Sequence, residues 1–353
     1  MVKGLRRTAS LLSGHSRERD GRPSPPGIPH FRGLFLLLLG LMSMPAFAQP
    51  MTPDNQLLAM LGALRALDYQ GAFVYERAGQ LHTMRLLHRG AGNGNEVEKL
   101  ISLSGGRSEV LREGSLIASR TADGTTRLLP NRPGSRLLPL IPDMRKAQLR
   151  RYYSVDATGE DRVAGYTATT LEIKPRDGYR YGYRLWLEAD SHLPLRSALI
   201  DGSGETLEQF LFVTLDIRTS FHEGDFAPAG STAMATSVDE AVLRGAPRWE
   251  VADAPPGFRY TSGHRPNPAP TQAEHYVYSD GVASVSVYVE ERDPHQPPPP
   301  DSALTRGALN VYSHSDGALR IIVLGDVPRA TVQRMALSVQ PLAPGVPRAL
   351  KKS

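Results

Sequence analysis

Arg176 to Phe212, RDGYRYGYRLWLEADSHLPLRSALIDGSGETLEQFLF, decides the fold. Its odd positions Tyr179, Tyr181, Tyr183, Leu185 and Leu187 fall on one side of an extended chain, while Arg180, Arg184, Trp186 and Glu188 fall on the other. That alternation predicts a half-buried antiparallel strand. Asp177-Gly178 precedes the run, Ala189-Asp190-Ser191-His192 follows it, and Asp201-Gly202-Ser203-Gly204 separates the next two apolar runs. Turn signals at this spacing make the window a β-meander with one aromatic face.

Toward the N-terminus, Thr52-Pro53-Asp54 offers an N-cap with proline at the first helical position, and Leu57, Met60, Leu61, Leu64 and Leu67 recur at helical spacing. An amphipathic helix ending near Asp68 is expected. From Gly71 the period changes to short strands: Ala72 to Glu76, a turn at Ala78-Gly79, Gln80 to His88, a Gly/Asn loop, Glu96 to Leu103, and three more punctuated by glycines. Leu137 to Pro142, LLPLIP, is apolar but broken by prolines, so it cannot be a central strand. A helix is expected from Pro142 to about Arg151.

Toward the C-terminus, Phe226 to Ser237 reads as a linker. Beyond it, Trp249-Glu250-Val251 opens a second unit. His275 to Ser279 and Val282 to Glu290, separated by Asp280-Gly281, give a hairpin with a type I′ dipeptide. Arg259 to Pro270 and Pro294 to Pro300 (PHQPPPP) read as irregular surface connections. Ala308 to Tyr312 and Ala318 to Leu324 form another strand pair, and Pro328 opens a last helix with Val332, Met335, Ala336 and Val339 on one face. The fold class is α+β in two domains.

Ahead of all this, Leu34 to Leu41 (LFLLLLGL) is a short apolar run between Arg32 and Ala46-Phe47-Ala48. This is the pattern of a secretory signal peptide cleaved after Ala48, the alternatives being a retained anchor or a buried helix. The expected organisation is residues 1–48 as leader and signal peptide, 49–225 as the N-terminal domain, 226–247 as linker, 248–342 as the C-terminal α+β domain and 343–353 as tail. The whole chain carries 41 Lys and Arg against 36 Asp and Glu, a net charge of +5. Residues 1–48 hold seven of those cations and two of the acids, so the remainder is balanced at 34 of each. The basic excess therefore points to no nucleic-acid partner. With no cysteine anywhere, disulfide scaffolds, thiol catalysis and Cys-ligated metals are excluded.

Chemistry finds little to stand on. Gly-x-Ser-x-Gly, His-Glu-x-x-His and P-loop signatures are missing, and the glycine run Gly90-Ala91-Gly92-Asn93-Gly94 opens no helix. His82 and His88 share a strand face but lack a third ligand at suggestive spacing, so both read as structural or surface histidines. Glu205, Glu208, Glu290 and Glu291 read as solvated acids. Neither a catalytic centre, nor a metal, nor a cofactor is expected.

Two features suit a binding role instead. Tyr181, Tyr183, Trp186, Phe210 and Phe212 either pack a core or line a groove for an apolar ligand. Leu138, Leu140 and Ile141 lie beside the cations Arg145, Lys146, Arg150 and Arg151, which read either as a solvated helix face or as a surface for anionic lipid or acidic peptide.

The run RVAGYTATTLEIKPRDGYRYGYRLWLEADSHLPLRSALI (residues 162–200) with LEQFLF (207–212) resembles the RseB/MucB family of periplasmic stress regulators. LDYQGAFVYERAG (67–79), HYVYSDGVASVSVYVE (275–290) and GALNVYSHSDGALRIIVLGDVP (307–328) are similar to the same family in the same order. The resemblance implies a large N-terminal domain like the lipoprotein carriers LolA and LolB, a curved antiparallel half-barrel with helices in its concavity, followed by a smaller C-terminal domain. It further implies a periplasmic negative regulator that binds the periplasmic part of a membrane-spanning anti-sigma factor (RseA or MucA), shields it from regulated proteolysis, and is released by lipopolysaccharide or lipid-like signals. The long leader and the PHQPPPP stretch depart from the family pattern. A lipid or lipoprotein carrier and a secreted hydrolase are the competing readings, and self-association is a further contact the sequence allows.

Overall fold

Thr52 starts the first helix, α1 (Pro53–Ala66), by accepting the Asn55 N–H on its hydroxyl at 3.4 Å, with Pro53 in the first turn where no N–H is needed. The helix buries Leu57, Met60, Ala63 and Leu64 and stops at Leu67, whose backbone is extended. The computed structural model describes residues 51–92, 95–114, 116–129, 138, 150–217, 220–227, 247–264, 273–293 and 295–342. The expected signal peptide with its cleavage after Ala48, most of the expected linker, the expected tail, and Leu140, Ile141, Arg145 and Lys146 lie outside the described residues.

Eleven strands follow: β1 (Tyr69–Arg77), β2 (Gln80–Arg89), β3 (Val97–Ser102), β4 (Ser108–Glu113), β5 (Leu116–Thr121), β6 (Thr126–Leu129), β7 (Tyr153–Val163), β8 (Tyr166–Pro175), β9 (Gly182–Glu188), β10 (Pro194–Ile200) and β11 (Thr206–Ile217). They form one antiparallel sheet in the order β6-β5-β4-β3-β2-β1-β11-β10-β9-β8-β7. Ala78-Gly79 and Ala164-Gly165 close two-residue hairpins with positive φ at both positions, the conformation of a type I′ turn.

The sheet curves around α1. Leu57, Met60 and Leu64 share one buried cluster with Leu86 of β2, Phe73 of β1, Phe210 and Phe212 of β11, Leu185 and Leu187 of β9, Leu171 and Ile173 of β8, and Tyr153 and Val155 of β7. Seven flat strands would span about 29 Å at 4.8 Å per step, roughly three helix diameters. Only a curved sheet brings both ends of that run to one helix. Phe73, Phe210 and Phe212 meet edge to face at 5.7 to 6.0 Å between centroids. Gly71 is required beside them, because a Cβ there would lie 2.3 Å from the Thr214 carbonyl oxygen.

A second lobe holds β12 (Trp249–Val251), β13 (Arg259–His264), β14 (Glu274–Ser279), β15 (Ser284–Glu291), β16 (Ser302–Arg306), β17 (Leu309–Asp316), β18 (Leu319–Gly325), α2 (Arg329–Ala336) and β19 (Val339–Pro341). Six of these strands make an antiparallel sheet, β13-β14-β15-β18-β17-β16, and β12 pairs with β19. Val332, Met335 and Ala336 of α2 pack with Val285, Val287, Ile321 and Val323 in its core.

Several elements differ from their sequence reading. The central strand begins at Gly182 rather than Tyr179, because Asp177 accepts the Tyr179 N–H at 3.0 Å and turns the chain first. Arg180 is accordingly not on a strand face. Arg259 to His264 is a strand, not an irregular connection; Tyr260 packs against Tyr276 and Tyr278 despite a register shift beside it. Ser302–Arg306 is an additional strand whose residues are all exposed, which left no alternation to read. Val339 belongs to β19, opposite Val251, not to the last helix. Asp280-Gly281 does not form a type I′ turn, since only Gly281 has positive φ.

Phe212→Ala is expected to cost about 3–5 kcal/mol by denaturant unfolding, while Val213→Ala, 56% exposed on the opposite face, should stay within about 0.5 kcal/mol.

Candidate functional site at the lobe junction

Among the described residues, Arg180 is the largest side chain that is completely buried. It leaves the turn between β8 and β9 and enters the second lobe, where Nε donates to Asp280 Oδ2 at 2.6 Å. Its Nη1 donates to Asp177 Oδ2 and its Nη2 to the Pro256 carbonyl. The guanidinium also stacks 4.7 Å from the Tyr152 ring and 5.0 Å from that of Phe258. Every nitrogen is therefore engaged, as a buried guanidinium requires.

Asp280 is matched with the same completeness. Oδ1 accepts the Val282 and Ala283 N–H groups at 2.8 and 2.7 Å, and Oδ2 accepts the Tyr153 hydroxyl at 2.9 Å in addition to Arg180. These bonds bend the β14–β15 connection around a carboxylate instead of closing it in two residues. Burial, together with the Asp280 charge, pushes the Tyr153 hydroxyl well above the ordinary phenol range, so it stays a donor. Gly257 completes the seat, because a Cβ there would come within 2.5 Å of the Tyr152 ring.

The tyrosines of the same turn extend this contact. Tyr179 offers its carbonyl to Thr331 Oγ1 of α2 at 2.7 Å, and its hydroxyl accepts from Arg334 Nη1. Asn310 Nδ2 of β17 donates to the Tyr181 hydroxyl at 3.2 Å and to the Val327 carbonyl at 2.8 Å. At the β1–β2 tip, Gly307 lies so close that a Cβ would be 3.1 Å from the Ala78 nitrogen.

The residues singled out as binding candidates thus separate. Tyr181 sits at the junction and Tyr183, Phe210 and Phe212 in the concave core. Burial raises the hydroxyl pKa of Tyr183 beyond that of an ordinary phenol. Trp186 lies on the opposite face, packed with Val163, Ala168, Leu195 and Ile200, under Arg196 at 4.1 Å and donating to Asp161 at 2.9 Å. It cannot share one groove surface with the phenylalanines. Leu138 is buried in the concave core. Arg150 is exposed and pairs with Asp54 at the start of α1, and Arg151 is exposed beside the Tyr152 ring.

One histidine acquires neighbours that spacing along the chain could not disclose. His88 is fully buried, with Nδ1 2.8 Å from the Leu67 carbonyl and Nε2 3.1 Å from Glu96 Oε1. Glu98 approaches to 4.0 Å from the adjacent strand. The three ligand atoms lie within 4.8 Å of one another, and Arg112 donates to both carboxylates, at 2.9 and 2.7 Å, supplying the positive charge there.

An open, curved antiparallel sheet closed on one helix, joined through a buried ion pair to a second α+β lobe, defines the class of molecule. The chain belongs to the MucB/RseB family: residues 52–230 match the MucB/RseB N-terminal domain and residues 244–340 the MucB/RseB C-terminal domain. It is 34% identical over 316 residues to the sigma factor AlgU regulatory protein MucB of Pseudomonas aeruginosa, covering 88% of this chain and 97% of that one. The sigma-E factor regulatory protein RseB of Escherichia coli is 27% identical over 319 residues, 86% and 96% of the two chains. The crystal structure of MucB in complex with the periplasmic part of MucA superposes with a TM-score of 0.65 and 31% identity, over 83% of this chain and all of that one.

Sequence reasoning passed over Arg180, Asp280, Asn310, Thr331 and Arg334. The available signal was two Asp-Gly turns, at Asp177 and Asp280, each with apolar or aromatic flanks. Arg180→Met leaves the Asp280 carboxylate buried without its cation and should cost about 3–5 kcal/mol. Adding Asp280→Leu should recover part of that loss, a coupling that a double-mutant cycle on denaturant midpoints reads out.

Proposed function

We propose that this chain is a periplasmic regulator of an envelope-stress sigma factor, acting by binding the periplasmic domain of a membrane-spanning anti-sigma protein. The observation that carries this reading is the extent of the match: both lobes align in order with proteins named as sigma-factor regulators, one of them solved with its MucA partner. A regulator of this kind needs surfaces and a stable arrangement of lobes. The relatives are regulatory proteins, and the chemistry-poor sequence agrees with that role.

Export by the signal peptide ending at Ala48 follows from the same reading. So does shielding of the anti-sigma segment from proteolysis, with release when a lipid or lipopolysaccharide binds. Release requires only that lipid and anti-sigma segment favour different states of the protein, a coupling of roughly 1–3 kcal/mol. One observation suits an anionic lipid: Arg150 stands exposed at the start of α1 and Arg151 exposed beside the Tyr152 ring, two cations within reach of a head group.

Calorimetric titration with the periplasmic region of the cognate anti-sigma factor should give saturable binding, and the bound segment should resist added protease. Absence of both would overturn the reading. Arg151→Glu is expected to weaken binding to vesicles of anionic lipid while leaving the melting temperature within about 2 °C; unchanged vesicle binding would remove this arginine from any lipid surface.

A further inference from the structure

A second carboxylate is buried at the junction, and it is held quite differently from Asp280. Glu208 of β11 is only 1% exposed. The Tyr75 hydroxyl donates to Oε2 at 2.8 Å, Arg77 Nε lies 3.1 Å from Oε1, and the Ala308 N–H of the second lobe faces the same carboxylate. Arg77 also reaches Asp326, which follows β18, at 3.4 Å. One half-exposed guanidinium therefore serves two carboxylates, one from each lobe. Asp280 has a fully buried guanidinium and two backbone N–H donors.

The groups facing Glu208 come from every element around it. β1 contributes Tyr75 and Arg77, β9 contributes the Tyr183 hydroxyl, and the second lobe contributes Asp326 and the Ala308 N–H. Its partner on β10, Leu199, brings no charge. Burial holds the Glu208 carboxyl above the usual carboxylate range; Tyr75 and Arg77 oppose this and Asp326 adds to it. Asp326 keeps its carboxylate partly in water, which screens its share.

We propose that the junction is a proton-linked latch, in which the second lobe closes over Glu208 with uptake of a proton, so that mild acid holds the lobes together and rising pH loosens them. Seating the second lobe removes the last water from Glu208. With the lobes apart the carboxyl titrates as an ordinary exposed acid, and with them joined it titrates higher. The contribution to closure is thus fully present below the ordinary carboxylate pKa and is lost as pH rises through the raised value. Protonated Glu208 still accepts from Tyr75 and releases Arg77 to pair with Asp326 across the junction. The latch concerns the arrangement of the lobes alone and stands whether or not an anti-sigma partner binds.

The chain has no cysteine, so a Leu116→Cys/Asp316→Cys pair accepts two spin labels cleanly, one on each lobe at exposed positions. Distance distributions measured by electron double resonance between about pH 4.5 and 7.5 should shift from one short population toward a longer one as pH rises. Glu208→Gln keeps an acceptor for Tyr75 without the charge, and should hold the short population throughout. Should that variant not fold, Asp326→Asn, which removes a charge that helps raise Glu208 and the cross-lobe partner of Arg77, is expected to move the opening to lower pH. A distribution independent of pH in the parent, or a pH profile unaltered by whichever variant folds, would overturn the proposal.

Discussion

Taking Arg180 and Asp280 out of water together is the constraint from which the rest of the junction follows. Each buried charge costs several kcal/mol in lost hydration, and their attraction offsets this only when every remaining donor and acceptor is met. The chain meets them with Asp177, the Pro256 carbonyl, the Tyr153 hydroxyl and two backbone N–H groups. That requirement explains why the segment before β9 abandons the extended conformation, why Gly257 cannot carry a side chain, and why the β14–β15 connection is wider than a two-residue turn. It also places Tyr179 and Tyr181 where α2 and β17 can bond them, so a local charge pair fixes how two sheets face each other.

Much of the first lobe was legible because it obeys period two. Tyr183, Leu185 and Leu187 face α1 while Trp186 faces away, and Phe210 and Phe212 alternate with Leu211 in the same sense. The cap at Thr52 and the strand after Ala78-Gly79 could be read for the same reason: local geometry decides them. Other elements follow no local rule. β16 is exposed throughout, so its sequence SALTR carries no pattern. β13 is held by pairing with β14 rather than by any alternation of its own.

The junction was illegible for a different reason. Alternation assigned Arg180 to the solvent side of a strand, where arginine ordinarily sits, and its partner lies a hundred residues further on. A buried ion pair leaves no trace along either segment alone. The same holds for His88, whose carboxylate neighbours are Glu98 of β3 and Glu96 just before it, and whose cation comes from β4. Trp186 shows the converse: pattern put it on the outer face, but chemistry grouped it with the phenylalanines, and the pattern was the better guide.

In a family of sigma-factor regulators, an open curved sheet joined through a buried ion pair to a second lobe offers a partner one continuous body for as long as that junction stays closed. Whether the lobes behave as one body is open to direct measurement by differential scanning calorimetry on residues 49–353 in mild acid, where the junction is closed. A single transition, with calorimetric and van't Hoff enthalpies equal, is the predicted result for lobes joined through Arg180 and Asp280. Two resolved transitions, each assignable to one lobe, would contradict it.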